Sequence, residues 1–171
     1  DTALNPLPMS FTDVKPSDWY YSSIAYMWQH NLMKGVSETQ FAPYRTTSRA
    51  MIWTILARMH NVPTDPTADG LWYEKGMLWD MEQGVSDGSS PLQDITLEQL
   101  AVMLWRNAGR PEGGSLDRFS DAADVSSYAV SAMQWAVERG ILQGNSGYLN
   151  PKANATRAAT AAMITRYASS I

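Results

Sequence analysis

The chain contains no cysteine and only two histidines among its 171 residues. The absence of cysteine excludes disulfides, thiolate metal sites and cysteine nucleophiles. No run of about 18 apolar residues is present, so we expect no membrane insertion. Acidic residues outnumber basic ones, 17 to 13, and the net charge of −4 argues against a nucleic-acid partner.

The length and the composition are compatible with one compact domain or with several small repeats that share a core. Hydrophobic residues make up 44% of the chain, which is enough for either arrangement. The first residues, Asp1 to Pro6, lack the basic and apolar regions of a signal peptide. We therefore expect that such a segment has been removed or that the sequence belongs to a longer chain.

Aromatic residues and methionine are abundant, with seven Trp, eight Tyr and ten Met. Ordinary helix packing, with methionine filling gaps, is one explanation. The other is that some Trp and Tyr side chains line shallow grooves and stack on the apolar faces of sugars. Composition does not choose between these two explanations.

Two segments with one pattern, Thr47–Met51 and Ala155–Ala159, organise the rest of the chain. Each places a hydroxyl residue and then an arginine at a predicted helix start, and the arginine stands six residues after a proline. Hydroxyl side chains cap helices, helix starts favour anions, and an arginine fork fits a carboxylate. On this motif alone, a capped helix with a solvated arginine is favoured over a receptor for a small anion.

Internal repetition connects these segments to the rest of the sequence. Phe11 and Asp13 match Phe119 and Asp121 at an offset of 108 positions. A weaker third copy lies halfway between them, and three of its residues carry the match: Trp72, Pro91 and Leu97. The chain is therefore predicted to form one domain of three repeats, at approximately residues 11–60, 65–108 and 119–168.

Each repeat is predicted to contain two helices joined by a loop. In the first repeat, Ser17 is the expected N-cap and the first helix is expected to end around Met33. Gly35 then turns the chain into left-handed space, and the second helix starts near Thr47. The prediction is an all-α protein with about six helices, little or no sheet and short 3₁₀ turns, in which three helix pairs bury their apolar faces around a shared axis.

The order of motifs resembles the S-layer homology family in three tandem copies, of which the middle one is degenerate. The family pattern begins with Phe-x-Asp and continues with a Trp and an apolar helix. A Gly-Ile/Val-x-x-Gly segment follows, which Gly140–Gly144 and Gly84–Gly88 match fully and Asn31–Gly35 matches loosely. Phe-x-Pro and Thr-Arg-Ala-Glu complete the pattern, so that the resemblance extends from about Phe11 to Tyr167.

The resemblance implies a non-catalytic anchoring module on the cell wall or surface layer of a bacterium. Triplets of this family form pseudo-threefold spindles around a central three-helix bundle. They bind secondary cell-wall polysaccharide, commonly at pyruvylated N-acetylmannosamine, in grooves between repeats, and in some Gram-negative lineages they bind other envelope polymers. No cofactor is implied, and a monomer is the default expectation because the threefold arrangement is internal.

Several candidate ligand-binding residues follow from this resemblance. Arg49 and Arg157 are expected to hold the carboxylate of a pyruvyl ketal. Ser48 and Thr156 add a hydroxyl contact or only cap their helices. Two glycines let the backbone approach a ligand closely or only form turns: Gly35 and Gly144.

Acidic and aromatic candidates complete the predicted site. Asp13 and Asp121 accept from sugar hydroxyls or cap the following turn, and the sequence does not rank these two roles. Trp19 and Trp72 are the candidates for stacking on a sugar, although burial between helices is the favoured role for both.

The sequence also departs from the family pattern. The final glutamate of Thr-Arg-Ala-Glu is absent from all three copies, and the middle copy lacks a clear Phe-x-Asp start, for which only Asp65 and Asp69 are candidates. Leu97 stands where the middle copy should have its arginine. Since leucine cannot pair with a carboxylate, we expect the groove at Leu97 to be weakened or dead and the working grooves to contain Arg49 and Arg157.

Three other function classes compete with the glycan interpretation. Enzyme activity is disfavoured because His30 and His60 are expected at helix ends and no metal, nucleophile or phosphate motif is present. A calcium-docking module is disfavoured because Asp87–Ser90 lacks the required acidic register. A helical scaffold for protein interaction, or for self-assembly of a surface layer, is the main alternative. The Phe-x-Asp and hydroxyl-arginine repeats favour glycan binding because a scaffold needs neither.

Overall fold

The computed structural model describes residues 3–171, and they form an all-α fold. Six α-helices follow one another: α1 (Tyr21–Gln29), α2 (Arg49–Met59), α3 (Glu74–Glu82), α4 (Leu97–Asn107), α5 (Val130–Glu138) and α6 (Arg157–Ser170). Two short 3₁₀ turns, Ala122–Asp124 and Ser127–Ala129, precede α5. The predicted fold class, helix number and 3₁₀ turns are confirmed.

The helices pack in pairs that join neighbouring repeats. The second helix of one repeat packs on the first helix of the next: α2 on α3, α4 on α5, and α6 back on α1. The α2–α3 contact is close because α3 carries Gly76, where a Cβ atom would lie only 3.0 Å from the Cα of Thr54. Within residues 3–171, the two helices of one predicted repeat do not form such a pair, so each helix pair contains helices of two repeats.

A closed ring of three backbone hydrogen bonds holds the starts of α2, α4 and α6 together. The N–H of Thr47 donates to the carbonyl of Ala155 at 3.0 Å, Ala155 donates to Ile95 at 2.8 Å, and Ile95 donates to Thr47 at 2.8 Å. All three residues are fully buried. The ring gives the interior an approximate threefold symmetry, while the spindle around a central three-helix bundle remains a prediction.

The core is one continuous apolar cluster to which all three repeats contribute. Large side chains that are almost completely buried occur in each repeat, among them Trp53, Phe41, Leu100, Leu104, Met133 and Tyr167. The alanines of α6, including Ala158, Ala161 and Ala162, are also buried. Their small side chains allow close packing at the centre.

The first helix starts later than the sequence predicts. It begins at Tyr21, and its N-cap Tyr20 makes no side-chain capping hydrogen bond. The Asp18 carboxylate accepts from the Lys15 N–H at 2.7 Å and stabilises a separate turn before the helix. The prediction that Ser17 caps α1 is therefore wrong.

The first helix also ends earlier than predicted, at Gln29 instead of near Met33. Asn31 has a left-handed φ of 59°, and this residue, not Gly35, turns the chain. Gly35 is required for space: a Cβ atom there would lie 2.5 Å from the Ser37 carbonyl oxygen. The prediction of a left-handed conformation at Gly35 is wrong.

Candidate functional site

The hydroxyl residues at the starts of α2 and α6 are helix caps. The Ser48 hydroxyl accepts from the Met51 N–H at 3.2 Å, and the Thr156 hydroxyl accepts from the Ala159 N–H at 3.0 Å. Thr96 does the same in α4, where Gln99 completes a capping box. The capping role expected for these hydroxyls is confirmed.

Arg157 ties α6 to the loop of the first repeat. Its side chain is buried, with 3% exposure. Its Nε donates to the Phe41 carbonyl at 2.9 Å and its Nη2 donates to the Lys34 carbonyl at 2.6 Å. Desolvation lowers the pKa of Arg157 to about 10, and the charge of Arg45 adds to the decrease while Asp13 opposes it. The guanidinium remains charged at neutral pH and is shielded from solvent.

Arg49 makes the equivalent contact between α2 and the second repeat, but it is less buried. Its Nε donates to the Ser89 carbonyl at 3.0 Å. Its Nη2 lies 3.9 Å from the carboxylate of Asp87, which is largely exposed. The Arg49 side chain is only 14% exposed, but at this length and with an exposed carboxylate the ion pair contributes little to stability. Arg49 therefore makes one hydrogen bond and one weak ion pair, and its side chain is mostly buried.

Leu97 begins α4, at the position that Arg49 and Arg157 have in α2 and α6, and an open groove lies beside it. A cavity of about 460 Å³ lies between α6 and the loop that follows α5. We call it the Leu97 groove. Six of its lining residues carry the following arguments: Trp19, Leu97, Gly144, Leu149, Ala159 and Arg166.

Asp13 and Asp121 hold the loops of their own repeats. The two oxygens of Asp13 accept from the N–H groups of Phe41 at 2.9 Å and Ala42 at 2.7 Å. Asp121 accepts in the same way from Leu149 and Asn150, both at 2.8 Å. Neither aspartate caps the following turn, so that expectation is wrong. Phe41 follows Asp13 by 28 residues, and Leu149 follows Asp121 by the same distance, so local sequence patterns do not predict these contacts.

The loop hydrogen bonds also set the protonation of Asp121. Desolvation raises the pKa of this carboxyl, but the N–H groups of Leu149 and Asn150, together with the N–H of Asp121 itself, leave the pKa below its usual value. The middle repeat lacks the aspartate of the Phe-x-Asp motif. Asp87 makes the equivalent contact from within the loop, because its carboxylate accepts from the Ser89 N–H at 2.9 Å. Asp65 and Asp69, the sequence candidates for that place, make no such contact with the loop.

Trp19 and Trp72 are exposed, by 63% and 46% respectively. The expectation that both are buried between helices is wrong. Each precedes its helix and packs edge-on against the tyrosine that follows it, Tyr20 or Tyr73, which is less exposed. The indole of Trp19 borders the Leu97 groove. An exposed indole at the rim of a cavity is suited to stacking on a sugar.

Gly35 and Gly144 lie against the phenylalanines of the two Phe-x-Asp motifs. A Cβ atom at Gly144 would come within 2.8 Å of the Phe119 ring, and one at Gly35 would clash with Phe11. Gly144 also has a left-handed φ of 73°. Because each glycine lacks a side chain, a phenylalanine ring can pack directly against the loop. Gly144 also borders the Leu97 groove.

Sequence reasoning missed three arginines that stand nine residues after positions 49, 97 and 157. Each donates to a carbonyl in the loop of its own repeat. Arg58 binds Leu32 at 3.2 Å, Arg106 binds Val85 at 3.2 Å and Arg166 binds Ile141 at 3.3 Å. The equal spacing in all three repeats is the signal that could have found them.

A buried glutamate joins the second and third repeats. Glu98, with 2% exposure, accepts from Lys152 Nζ at 2.6 Å and from the N–H and hydroxyl of Ser126. Desolvation raises the pKa of Glu98, but the hydrogen bonds from Lys152 and Ser126 together lower it below the usual value. Glu98 therefore remains ionised as an inter-repeat contact.

Residues 3–171 contain neither a metal-binding cluster nor a membrane-spanning helix. Within residues 3–171, no group of three or more His, Cys, Asp or Glu side chains is arranged to hold a metal ion. No helix in this part of the chain has the length and apolar character needed to cross a membrane.

Comparison with known proteins identifies related sequences. The chain is 28% identical to an endoglucanase of Bacillus sp. (strain KSM-635) over 90% of its own length and 18% of the relative's. It is 24% identical to S-layer protein sap of Bacillus anthracis, covering 92% of the chain and 21% of that protein. It is 30% identical to a surface-layer 125 kDa protein of Lysinibacillus sphaericus, covering 79% and 13% respectively.

The chain thus spans about a fifth or less of the length of each of these relatives. The model of the S-layer homology domain matches two segments, residues 10–50 and 118–161, which include both Phe-x-Asp motifs and the hydroxyl and arginine residues at the starts of α2 and α6. This domain is a non-catalytic anchoring module, and with the surface-layer relatives it indicates the cell wall or surface of a bacterium. The chain belongs to the S-layer homology domain family.

Proposed function

We propose that this module anchors its parent protein by binding secondary cell-wall polysaccharide at a pyruvylated N-acetylmannosamine unit in the grooves between repeats. The observation that carries the proposal is the exposed indole of Trp19 at the rim of a cavity of about 460 Å³. Ligand sites are typically concave, with an apolar lining and a few polar groups that fix the orientation of the ligand. The Leu97 groove has this character.

Stacking and carboxylate capture are the two interactions that such a sugar requires. The exposed faces of Trp19 and Trp72 provide platforms for the apolar side of the ring. The fixed carboxylate of the pyruvyl ketal matches the planar fork of an arginine. We assign this carboxylate to Arg49, because its ion pair with Asp87 is long and the Asp87 carboxylate is exposed.

Arg157 contributes to the proposed function in a different way from Arg49. Its guanidinium already donates to two loop carbonyls in a buried setting, so we assign it the task of holding the loop in position. The same applies to Asp13 and Asp121, whose oxygens bind loop N–H groups. These residues fix the positions of the loops that form the groove walls.

Co-sedimentation with purified bacterial cell walls tests the proposal. The chain is expected to pellet with walls that carry pyruvylated polysaccharide and to stay in solution after mild acid has removed the pyruvyl groups. Arg49→Gln should reduce the pelleted fraction, whereas Arg139→Gln, which changes an exposed arginine at the end of α5, should not. Equal pelleting with treated and untreated walls would contradict the proposed ligand.

Protein interaction is the second candidate, and the apolar surface of the middle repeat favours it. Leu71, Leu78 and Met81 are exposed by 55%, 56% and 45%. A scaffold that docks another protein through this surface would bind in a manner independent of pyruvate. Persistence of wall binding after acid treatment, together with its loss in Leu78→Ser, is the outcome expected from that function.

A further inference from the structure

We infer that the outer face of α3, in the middle repeat, is a docking surface for a polypeptide segment that is both apolar and basic. This surface, which we call the α3 patch, consists of Leu71, Leu78 and Met81, with Glu74 and Glu82 beside them. The inference gives the protein-interaction candidate a partner of defined chemistry, and it does not depend on wall binding.

The apolar part of the α3 patch is grouped on one side of the helix. Leu71, Leu78 and Met81 are exposed by 55%, 56% and 45%. Leu78 and Met81 stand three residues apart on α3 and are therefore neighbours on its surface, away from the buried Gly76 and Asp80. Leu71 lies in the turn that leads into the helix. Exposed apolar side chains that are grouped in this way, and not scattered singly, mark an interaction surface.

Three equivalent hydrogen bonds align α3 with the first helices of the other two repeats. The carbonyl of Asp80 accepts from the N–H five residues further along, at 2.9 Å, and those of Met27 in α1 and Ala136 in α5 do the same at 2.8 Å. The residues that follow these three occupy equivalent positions: Trp28, Met81 and Val137.

The segment that precedes the first repeat covers α1 at this position. The Trp28 indole Nε1 donates to the Pro6 carbonyl at 3.3 Å, and Asn5 Nδ2 donates to the Trp28 carbonyl at 2.7 Å. The Asn5 N–H also donates to the carbonyl of Gln29, the last residue of α1, at 2.9 Å. A polypeptide segment therefore fits against this end of a first helix and uses its backbone to bind there.

The segment before the third repeat covers α5, whereas α3 has no equivalent cover within residues 3–171. Gly114 lies so close to the Gln134 carbonyl that no Cβ atom would fit, and Val137 is only 8% exposed. Met81 is 45% exposed. The Glu82 carbonyl at the end of α3 receives no backbone hydrogen bond from the described residues, although the equivalent carbonyl of α1 does. The α3 patch thus has room for a segment of another polypeptide.

The middle repeat carries the negative charge of the chain. Residues 65–108 contain eight acidic and two basic residues, a net charge of −6, whereas the rest of the chain has nine acidic and eleven basic residues. Of these eight acidic residues, six are at least partly exposed, and Asp80 and Glu98 are buried. Such a surface attracts lysine and arginine and repels the anionic polymer proposed for the grooves.

Two of these carboxylates lie directly beside the apolar side chains. Glu74, Leu78 and Glu82 follow one another on α3 at a spacing of four residues, so both glutamates flank the exposed leucine. A partner that complements this arrangement presents apolar side chains with lysine or arginine next to them. A basic, apolar polypeptide segment has this chemistry, and a wall polysaccharide does not.

Fluorescence anisotropy with a labelled synthetic peptide of alternating lysine and leucine tests the inference. We expect the chain to bind this peptide. It should not bind a twin in which glutamate replaces lysine, or a twin in which serine replaces leucine. In an NMR titration of the ¹⁵N-labelled chain, the signals that the peptide shifts should belong to α3 and to the turn before it.

Two substitutions in the α3 patch have matched controls elsewhere in the chain. Leu78→Ser and Glu82→Lys should each weaken peptide binding by about fivefold or more. Glu138→Lys, at the end of α5, changes the net charge by the same amount as Glu82→Lys and should leave binding unchanged. Leu92→Ser, at a leucine that is 67% exposed outside the patch, is the apolar control. Melting curves show whether each variant is folded.

The outcomes separate this inference from wall binding. Folded Leu78→Ser and Glu82→Lys variants that bind the lysine–leucine peptide as the parent does would overturn it. Equal binding of either twin peptide, or a loss of affinity in Glu138→Lys as large as in Glu82→Lys, would overturn it as well. A parent chain that pellets with pyruvylated walls but does not bind the peptide overturns the inference and leaves the proposed function intact. Peptide binding by a chain that does not pellet with walls supports the inference and contradicts the proposed wall ligand.

Discussion

Arg157 and Phe41 connect the last repeat of the chain to the first. The guanidinium Nε donates to the Phe41 carbonyl at 2.9 Å, and the same guanidinium lies 4.6 Å from the centre of the Phe41 ring. Together with the packing of α6 on α1, this contact closes the circle of repeats. The first role of Arg157 in this structure is therefore to connect two repeats.

Arg157→Ala is expected to destabilise the protein strongly. The change leaves the carbonyls of Phe41 and Lys34 without their donor and creates a cavity, at a cost of about 3 kcal/mol in the free energy of unfolding. Arg49→Ala, the matched change, removes one carbonyl hydrogen bond instead of two and should cost less, about 1–2 kcal/mol. Urea unfolding followed by tryptophan fluorescence measures both. Equal losses for the two variants would contradict the structural role of Arg157.

The aspartates of the Phe-x-Asp motif should stabilise the loops in a pH-dependent way. Asp121→Asn places an amide NH₂ opposite the N–H of Asn150 or Leu149, so we expect a loss of about 1–2 kcal/mol at neutral pH. Asp117→Asn, in an exposed turn before the motif, is the control and should have little effect. Chemical unfolding at pH 7 gives both values, and an unchanged Asp121→Asn variant would contradict this role.

The sign of the pH effect follows from the lowered pKa of Asp121. The folded state keeps this carboxylate ionised at a lower pH than the unfolded chain does. Its stabilising contribution is therefore complete above an unfolded pKa of about 4 and is lost as pH falls through the folded pKa. The difference in stability between the parent and Asp121→Asn should shrink below pH 4.

Asp80 has the opposite effect on stability. Its side chain is fully buried in α3, and neither carboxylate oxygen has a hydrogen-bond partner among the described residues. Desolvation raises its pKa to about 8. The folded state therefore holds one more proton than the unfolded chain between about pH 4 and pH 8, and stability falls by up to about 1.4 kcal/mol per pH unit across that range.

Asp80→Ala should remove this dependence on pH. Alanine occupies the equivalent position in α5, Ala136, which is also fully buried. We expect the variant to be more stable than the parent at pH 9, with a smaller difference at pH 5. Glu82→Ala, at an exposed position on the same helix, controls for helix propensity. Parallel stability curves for the parent and Asp80→Ala would show that the carboxyl does not titrate in this range.

Gly144 and Gly84 share a φ of 73° but differ in their surroundings. A Cβ atom at Gly84 would meet nothing within 4 Å, whereas one at Gly144 would press on the Phe119 ring. Gly84→Ala should cost only the backbone strain, about 1 kcal/mol. Gly144→Ala should cost roughly 1–3 kcal/mol more because it overpacks the loop. Thermal unfolding of the two variants compares them directly, and similar melting temperatures would contradict the supporting role of Phe119.

The helices were predictable from the sequence because their determinants are local. Apolar spacing predicted α2, α4 and α6, and the hydroxyl residues Ser48 and Thr156 marked two of their starts correctly. The boundaries of α1 were not predictable, because the Asp18 carboxylate stabilises a turn that the pattern alone does not distinguish from a helix.

The candidate site was less predictable, because its contacts join residues far apart in the chain. Asp13 and Asp121 were predicted as ligand-binding residues, but the partners that they contact in the structure lie 28 residues further along the chain. The exposure of Trp19 and Trp72 depends on which residue of each Trp-Tyr pair faces inward, and the sequence does not show that. The groove at Leu97 was predicted to be weakened or dead, and its volume was not predictable because Ala159, a residue from another repeat, also lines it.

The most direct test of glycan recognition is calorimetric titration of the chain with synthetic pyruvylated N-acetylmannosamine and with the same sugar lacking pyruvate. The account predicts heat and a defined stoichiometry with the first sugar and no binding of the second. Equal binding of the two sugars, or binding of neither, would contradict carboxylate capture in the grooves between the repeats.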